Sequence, residues 1–329
     1  MRIAIAGTGA VGSVIAAYLM KDGKHEVSLL ARGVQLAALR ARGLAVESRG
    51  KSFESRPKAS DDPAELGPQD VIVSTVKGYA VGEIAPRLSP MFGKDTLIIT
   101  AQNGIPWWYF YGIGGADADR PFETVDPGGV AWKALEPERA IGCVVSIPSE
   151  KTSPGHVHHD GALRLVLGAP RPGDHGERLR EISGALSSAG IEAPVTSDIR
   201  HAIWSKQQSL VGSSSLSVLT GANHAEIDAA PGLAAIRVAI TQECIAVANG
   251  WGVPLDPKAV RQSGTVGAHK ASMLQDYEAG RRIELDAILT AVLDLAKLRG
   301  VKAPMIEAIW ALTRLRAQTA MAAAPKAAE

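Results

Sequence analysis

Cysteine is almost absent from this chain, which has only Cys143 and Cys244 among 329 residues. Two thiols make neither a disulfide framework nor a metal-ligand set, and they point to a reducing compartment. An excess of either charge is missing as well, with 35 Lys and Arg against 34 Asp and Glu. A net charge of +1 gives no electrostatic basis for binding nucleic acid or an anionic membrane. Long hydrophobic runs are also lacking, since charge interrupts them before the roughly 18–20 residues that a membrane span needs. The apolar stretch behind Arg2 resembles a leader, but its cleavage would discard the glycine motif described below. A cytoplasmic protein is therefore expected. The remainder, 46% hydrophobic and 21% charged, is ordinary globular composition. A chain of this length exceeds most single cores, so two domains are expected.

The front half alternates strand and helix. "RIAIA" reads as a short buried strand, "AVGSVIAAYLM" as a helix, "HEVSLLA" as a second strand and "GVQLAALRARG" as a second helix. "LAVESRGKSFESRP" reads as a hairpin turning at Arg49 and Gly50. "DVIVSTV" and "TLIIT" read as buried β-branched strands, with helix-like "YAVGEIAPRL" between them. This alternation predicts an α/β fold with a mainly parallel, doubly wound sheet. From Ala140 to Leu167 the pattern turns to β and predicts an antiparallel extension of that sheet. A helix from about Gly176 to Ala189 and a strand "IEAPVTS" should follow. After Asp198, an N-cap residue type, nearly everything reads as helix, with amphipathic segments near 199–218, 231–249, 256–263, 283–299 and 305–320. Pro231 opens one of these, and Gly250 and Gly300 close two others. The expected organisation is a sheet domain over 1–197 and an all-helical domain over 198–329, ending in a frayed "AAAPKAAE" tail.

"IAIAGTGAVGS" sets Gly7, Gly9 and Gly12 between the first strand and the first helix. The first glycine permits the tight turn, the second lets backbone approach a pyrophosphate, and the third lets helix and strand pack closely. Thr8, Ala10 and Val11 complete the turn, and the helix start offers N–H groups to phosphate. A dinucleotide site is expected here. Sites selecting NAD usually end the second strand in Asp or Glu to hold the ribose 2′-hydroxyl. This strand ends Ala31-Arg32-Gly33, and Glu26 lies at its wrong end. Arg32 reads either as a solvated loop residue or as a planar partner for a 2′-phosphate; the missing carboxylate favours the second and hence NADP(H).

Ligands of open α/β sheets sit outside the carboxyl ends of the strands. "VIVSTVKGY" places Lys77 there, and "TLIITAQNGIP" places Asn103 there. Each alone reads equally well as loop charge or turn residue. Together with the glycine turn, Arg32, "IWSK…LTG" and "SMLQDYEAGRRIELD", they resemble the ketopantoate reductase (2-dehydropantoate 2-reductase) family, over nearly the whole chain. The resemblance implies a Rossmann-type NADP-binding domain and a helical substrate and catalytic domain with a cleft between them. It implies hydride transfer from NADPH to the ketone of a 2-oxo acid, and a place in pantothenate biosynthesis. Carried over by motif, Lys206 is the general acid and Glu284 the active-site carboxylate, which also faces the cofactor. Ser272 is the hydroxyl for the substrate carboxylate. Asn103 belongs to the nicotinamide and substrate pocket, with Lys77 beside it. The lysine role agrees with independent chemistry, because an ammonium stabilises a growing alkoxide and can protonate it.

One stretch departs from the family pattern. "IWSKQQSLVGSSSLSVLTG" has Leu210 and Ser214 where family members usually carry asparagines, and Ser215 at the usual proline. Leu210 removes a hydrogen-bonding group for the substrate, at about 1–3 kcal/mol, or ~10–100-fold in affinity. A reductase acting on a bulkier or less polar carbonyl compound therefore stays open, as does a catalytically silent NADP(H)-sensing protein. The run "WWYFY" from Trp107 to Tyr111 reads as a loop packed against the helical domain or a subunit partner, or as an aromatic wall shaping the substrate pocket for something larger or more apolar, which Gly112, Gly114 and Gly115 would let move. His156, His158, His159 and Asp160 invite a metal reading, but strand alternation puts His159 opposite the other two histidines, and the sequence offers no second ligand cluster. No metal is expected. The two cysteines sit in apolar surroundings and read as buried packing. The sequence does not fix an oligomeric state, although exposed apolar helical faces are compatible with a homodimer.

Overall fold

The structure, a computed structural model, describes residues 1–256 and 270–323. The helix expected near 256–263, apart from its first residue, and the end of the tail lie outside the described residues. The chain divides into two compact units, Met1–Ile199 and Arg200–Glu329.

In the first unit β1 (Arg2–Ala6), α1 (Ala10–Asp22), β2 (Glu26–Leu30) and α2 (Gly33–Arg42) form the opening right at the sheet centre. β1 buries Ile3 through Ala6 on both faces, the continuous apolar run of a parallel strand covered from two sides. The hairpin β3 (Leu44–Ser48) and β4 (Lys51–Ser55) turns at Arg49 and Gly50, both at positive φ (51° and 72°), as a two-residue hairpin turn requires. Next come β5 (Lys58–Ser60), α3 (Pro63–Leu66) and β6 (Gln69–Ser74). The expected helix after β6 is broken into a 3₁₀ turn (Gly78–Ala80), α4 (Val81–Ile84) and a 3₁₀ stretch (Ala85–Met91). Pro86 and Pro90 withdraw the amide donors a longer helix would need. β7 (Phe92–Thr100) and α5 (Val130–Leu135) lead to β8 (Ala140–Ser146), β9 (Ser149–Ser153), β10 (His156–His159), β11 (Arg164–Gly168) and α6 (Gly176–Ser188).

The main sheet has the order β11-β8-β7-β6-β1-β2-β5, parallel except for β11, which runs antiparallel to β8. Only part of the 140–167 region extends this sheet. β9 and β10 instead join the early hairpin in a second sheet of order β4-β3-β10-β9, which packs on α1. Its pairing joins residues more than a hundred positions apart, such as Val46 and Val157, a partnership that local patterning does not encode. The expected strand "IEAPVTS" makes only two isolated bridges, from Glu192 and Val195. The aromatic run from Trp107 to Tyr111 is buried. Trp108 Nε1 donates to Thr100 Oγ1 (2.9 Å), and Phe110 packs on Phe122 (4.9 Å between rings) under the Arg120 guanidinium.

The second unit contains α7 (Ile199–Thr220), which starts at the unit boundary, α8 (His224–Ala229), α9 (Pro231–Gly250) and α10 (Ser272–Glu278). A π-helical turn (Asp286–Thr290) leads into α11 (Ala291–Leu298), and α12 (Pro304–Ala323) follows. Asn223 and Glu226 form a capping box at the start of α8. α9 is long and apolar enough to cross a membrane. It nevertheless buries Arg237, paired with Asp228 at 2.7 Å, and its Glu243 accepts from Met305 N–H and Ile306 N–H at the start of α12. Those polar contacts are those of a helix packed within a folded unit.

Candidate active site

The glycine turn has the geometry its residues require. Gly7 sits at φ +100°, and a Cβ there would meet the Val76 backbone nitrogen at 2.9 Å. A Cβ on Gly12 would fall on the Gly7 carbonyl and Thr75 Oγ1, so only glycine lets α1 lie this close to the strand ends. Gly9 differs: a Cβ there would meet nothing within 4 Å, so this backbone faces open space. Thr75 Oγ1 donates to the Gly7 carbonyl, and Gly7 N–H donates to Leu30 O (3.2 Å), fixing the turn from both neighbouring strands. No side chain caps α1, whose first residues are Ala10 and Val11. Its orphan N–H groups and positive dipole end face this turn. An open glycine backbone beside an uncapped helix start fits a pyrophosphate.

A cleft of about 220 Å³ opens beside Gly7, Thr8 and Gly9 and runs past Leu30, Ala31 and Arg32 at the carboxyl end of β2. The chain leaves β1 toward β2 on one side and returns to β6 on the other, so the turn lies at a topological switch point. Arg32 flanks α2, and its Nη1 pairs with Glu83 Oε1 of α4 at 2.5 Å. Lys77 follows β6 and Asn103 follows β7, and these strands are neighbours in register, Ser74 beside Thr100. Both residues thus leave the same carboxyl edge. Arg87 and Lys151 also line the cleft. The sequence reading missed them, and a lone lysine on a distant edge strand gives no local signal of its destination.

In the second unit Lys206 is half-buried on α7, and its neighbour Gln207 is buried. Gln207 Nε2 donates to the Ile288 carbonyl at 2.6 Å, tying α7 to the π-helical turn. Glu284 stands just before that turn, 6% exposed, with its carbonyl accepting Ile288 N–H at 3.2 Å. Glu284 therefore precedes the regular helix rather than lying in its first turn. Such π-type insertions shift side-chain phase and recur at functional sites. Ser272 is the half-buried first residue of α10.

The polar run of α7 resolves into two kinds of serine. Ser213 donates to Ser209 O (2.8 Å) and Ser215 to Val211 O (2.6 Å), so both are satisfied inside their own helix. Ser214 is buried with its hydroxyl unpaired among the described residues, as is Ser217, while Leu210 is half-buried. Gly212 lies against the Arg237 side chain, 3.2 Å from where its Cβ would stand, so small residues here let α9 approach. Elsewhere His159 is fully buried, held between Ser48 Oγ (2.7 Å) and Ala162 O (3.0 Å), while His156 and His158 are exposed. Cys143 and Cys244 are buried, and burial pushes the Cys244 thiol far up.

A parallel sheet with a glycine turn at its switch point, followed by a helical unit with a half-buried lysine and a buried carboxylate, defines the class of two-unit dehydrogenase-type oxidoreductases. Residues 3–172 match the family described as ketopantoate reductase PanE/ApbA, and residues 198–317 match its C-terminal part. The chain belongs to the ketopantoate reductase family, whose members reduce 2-oxo acids. It is 37% identical to a 2-dehydropantoate 2-reductase of Mesorhizobium japonicum, over 95% of this chain and 97% of that one. A Ralstonia solanacearum protein assigned as a ketopantoate reductase superposes with a TM-score of 0.90 at 34% identity, covering 97% of this chain and 98% of that one. A D-mandelate dehydrogenase, solved with NADH and anilino(oxo)acetate, shares the fold at a TM-score of 0.82 and 22% identity, covering 97% and 99%.

Proposed function

We propose that this protein is an NADPH-dependent reductase of a 2-oxo acid, 2-dehydropantoate or a close relative. In this reading residues 1–197 bind NADP(H), and residues 198–329 supply the substrate-binding and catalytic groups. The observation that carries it is the Gln207–Ile288 hydrogen bond, which holds the helix of Lys206 against the turn that follows buried Glu284. Glu284 is a buried carboxylate standing just before the turn that Gln207 binds, and buried carboxylates are held by polar partners or serve a chemical role.

NADPH, when bound, supplies the hydride for the ketone carbon. Backbone N–H groups at Gly9, Ala10 and Val11 hold the pyrophosphate, with Arg32 on the 2′-phosphate. Asn103 and Lys77 serve the nicotinamide end. The Ser272 hydroxyl binds the substrate carboxylate, and Lys206 stabilises the developing alkoxide and gives it a proton. Glu284, an acceptor when ionised, holds a donor of the cofactor or substrate. Leu210 and Ser214 shape the rest of the substrate site. Leu210 also favours a second reading within the same chemistry, a bulkier or less polar 2-oxo substrate.

The test follows NADPH oxidation against 2-oxo acids running from ketopantoate to aryl-substituted members. Turnover should be found, and Lys206→Ala should lower kcat by about 10²–10⁴-fold. Tight NADPH binding without turnover on any member would sink the reductase reading and leave a nucleotide-sensing protein. Turnover on bulky members alone would select the second reading.

A further inference from the structure

The glycine turn receives the pyrophosphate, so the adenosine ribose must extend along the cleft toward Leu30, Ala31 and Arg32. Three cations meet there from three parts of the chain: Arg32 after β2, Arg87 from the 3₁₀ stretch after α4, and Lys151 from β9 of the second sheet. Two carboxylates, Asp61 and Glu83, line the same cleft. Arg87 is anchored by one donor, Nη2 to the Asp61 carbonyl at 2.7 Å, and forms no ion pair among the described residues. The Lys151 side chain is exposed and, among the described residues, makes no hydrogen bond or ion pair. Of the three, Arg32 is the one committed to a carboxylate, Glu83, and that pair is 71% and 60% exposed.

We infer that Arg87 and Lys151 complete, with Arg32, a three-cation subsite for the 2′-phosphate of the dinucleotide, and that Glu83 is the counter-ion holding Arg32 until that phosphate replaces it. The inference rests on the NADP(H) reading proposed above and assigns it residues beyond Arg32. A phosphate monoester near neutral pH has close to two charges and three acceptor oxygens, enough to engage two guanidiniums and an ammonium together. Glu83 offers one charge in a solvent-screened pair worth little, so a dianion displaces it readily. Once displaced, the Glu83 carboxylate remains nearby as a like charge, which weakens NADPH without touching NADH. The second sheet thereby gains a role at the cofactor, since its edge strand brings Lys151 to the cleft.

The experiment is calorimetric titration of the intact protein with NADPH, NADH, 2′,5′-ADP and 5′-AMP, with thermal melts as a folding control. Arg87→Ala and Lys151→Ala should each weaken NADPH and 2′,5′-ADP by about three- to twentyfold, leaving NADH and 5′-AMP within about twofold. Glu83→Gln should tighten NADPH by about two- to fivefold. Equal losses for NADPH and NADH would place the two cations on the shared part of the cofactor and overturn the subsite. So would unchanged NADPH affinity in both alanine variants. A wild-type protein that binds NADH as tightly as NADPH would overturn the NADP(H) reading as well, a result distinct from the other two.

Discussion

Leu210 lies one turn after Lys206 on α7, half-buried, where the family pattern expects an asparagine. Leu210→Asn should return a hydrogen-bonding side chain to the substrate and lower KM for ketopantoate by about tenfold, with kcat changed less. Steady-state kinetics on the variant check this, and an unchanged KM would remove Leu210 from the substrate site. Gly7, Gly9 and Gly12 were legible in the sequence because each answers a local steric demand: a positive φ, an open backbone and a close helix. The serines of α7 were not. Their letters suggest a polar cleft, yet Ser213 and Ser215 return their hydroxyls to carbonyls one turn back. Which acceptor a hydroxyl finds depends on its rotamer and on what buries it, and neither is written locally.

Between α7 and α11 the deciding element is the π-helical turn over Asp286–Thr290, held by Gln207. Gln207→Leu keeps the shape but leaves the Ile288 carbonyl without its side-chain donor, at a cost of about 1–3 kcal/mol. Urea unfolding should show a lower midpoint with an unchanged slope. The helix pattern over 283–299 was legible, but its π start was not, since five-residue spacing leaves no apolar signature in so short a span. Helix starts read well where chemistry marks them, as at Pro231, whereas the helix behind the Asn223–Glu226 capping box is too short to leave a periodic pattern. The aromatic run offered two readings; Phe110 packs on Phe122 and Tyr111 on Trp132, pairs of rings that no local pattern announces.

At the scale of the whole molecule, burial lowers the pKa of His25, His159 and His175 from the usual 6.5. The folded state resists protonating them, while the unfolded chain takes up those protons near 6.5. Stability from these groups is therefore full above that pH and declines as pH falls below it. Thermal melts from pH 8 to pH 5 should show a falling Tm, and His159→Gln should flatten part of the slope. The sequence by itself determined the doubly wound sheet, the glycine turn, the helical second half and the chemistry available at Lys206, because periodicity, turn sterics and functional-group type are local properties. Tertiary structure alone decided that His156–His159 pairs with the hairpin at Leu44–Ser55, that Lys151 and Arg87 line one cleft with Arg32, and that Gln207 holds the turn beyond Glu284. Each joins residues tens to more than a hundred positions apart, and such partners are selected by shape and buried polarity only once the chain has closed.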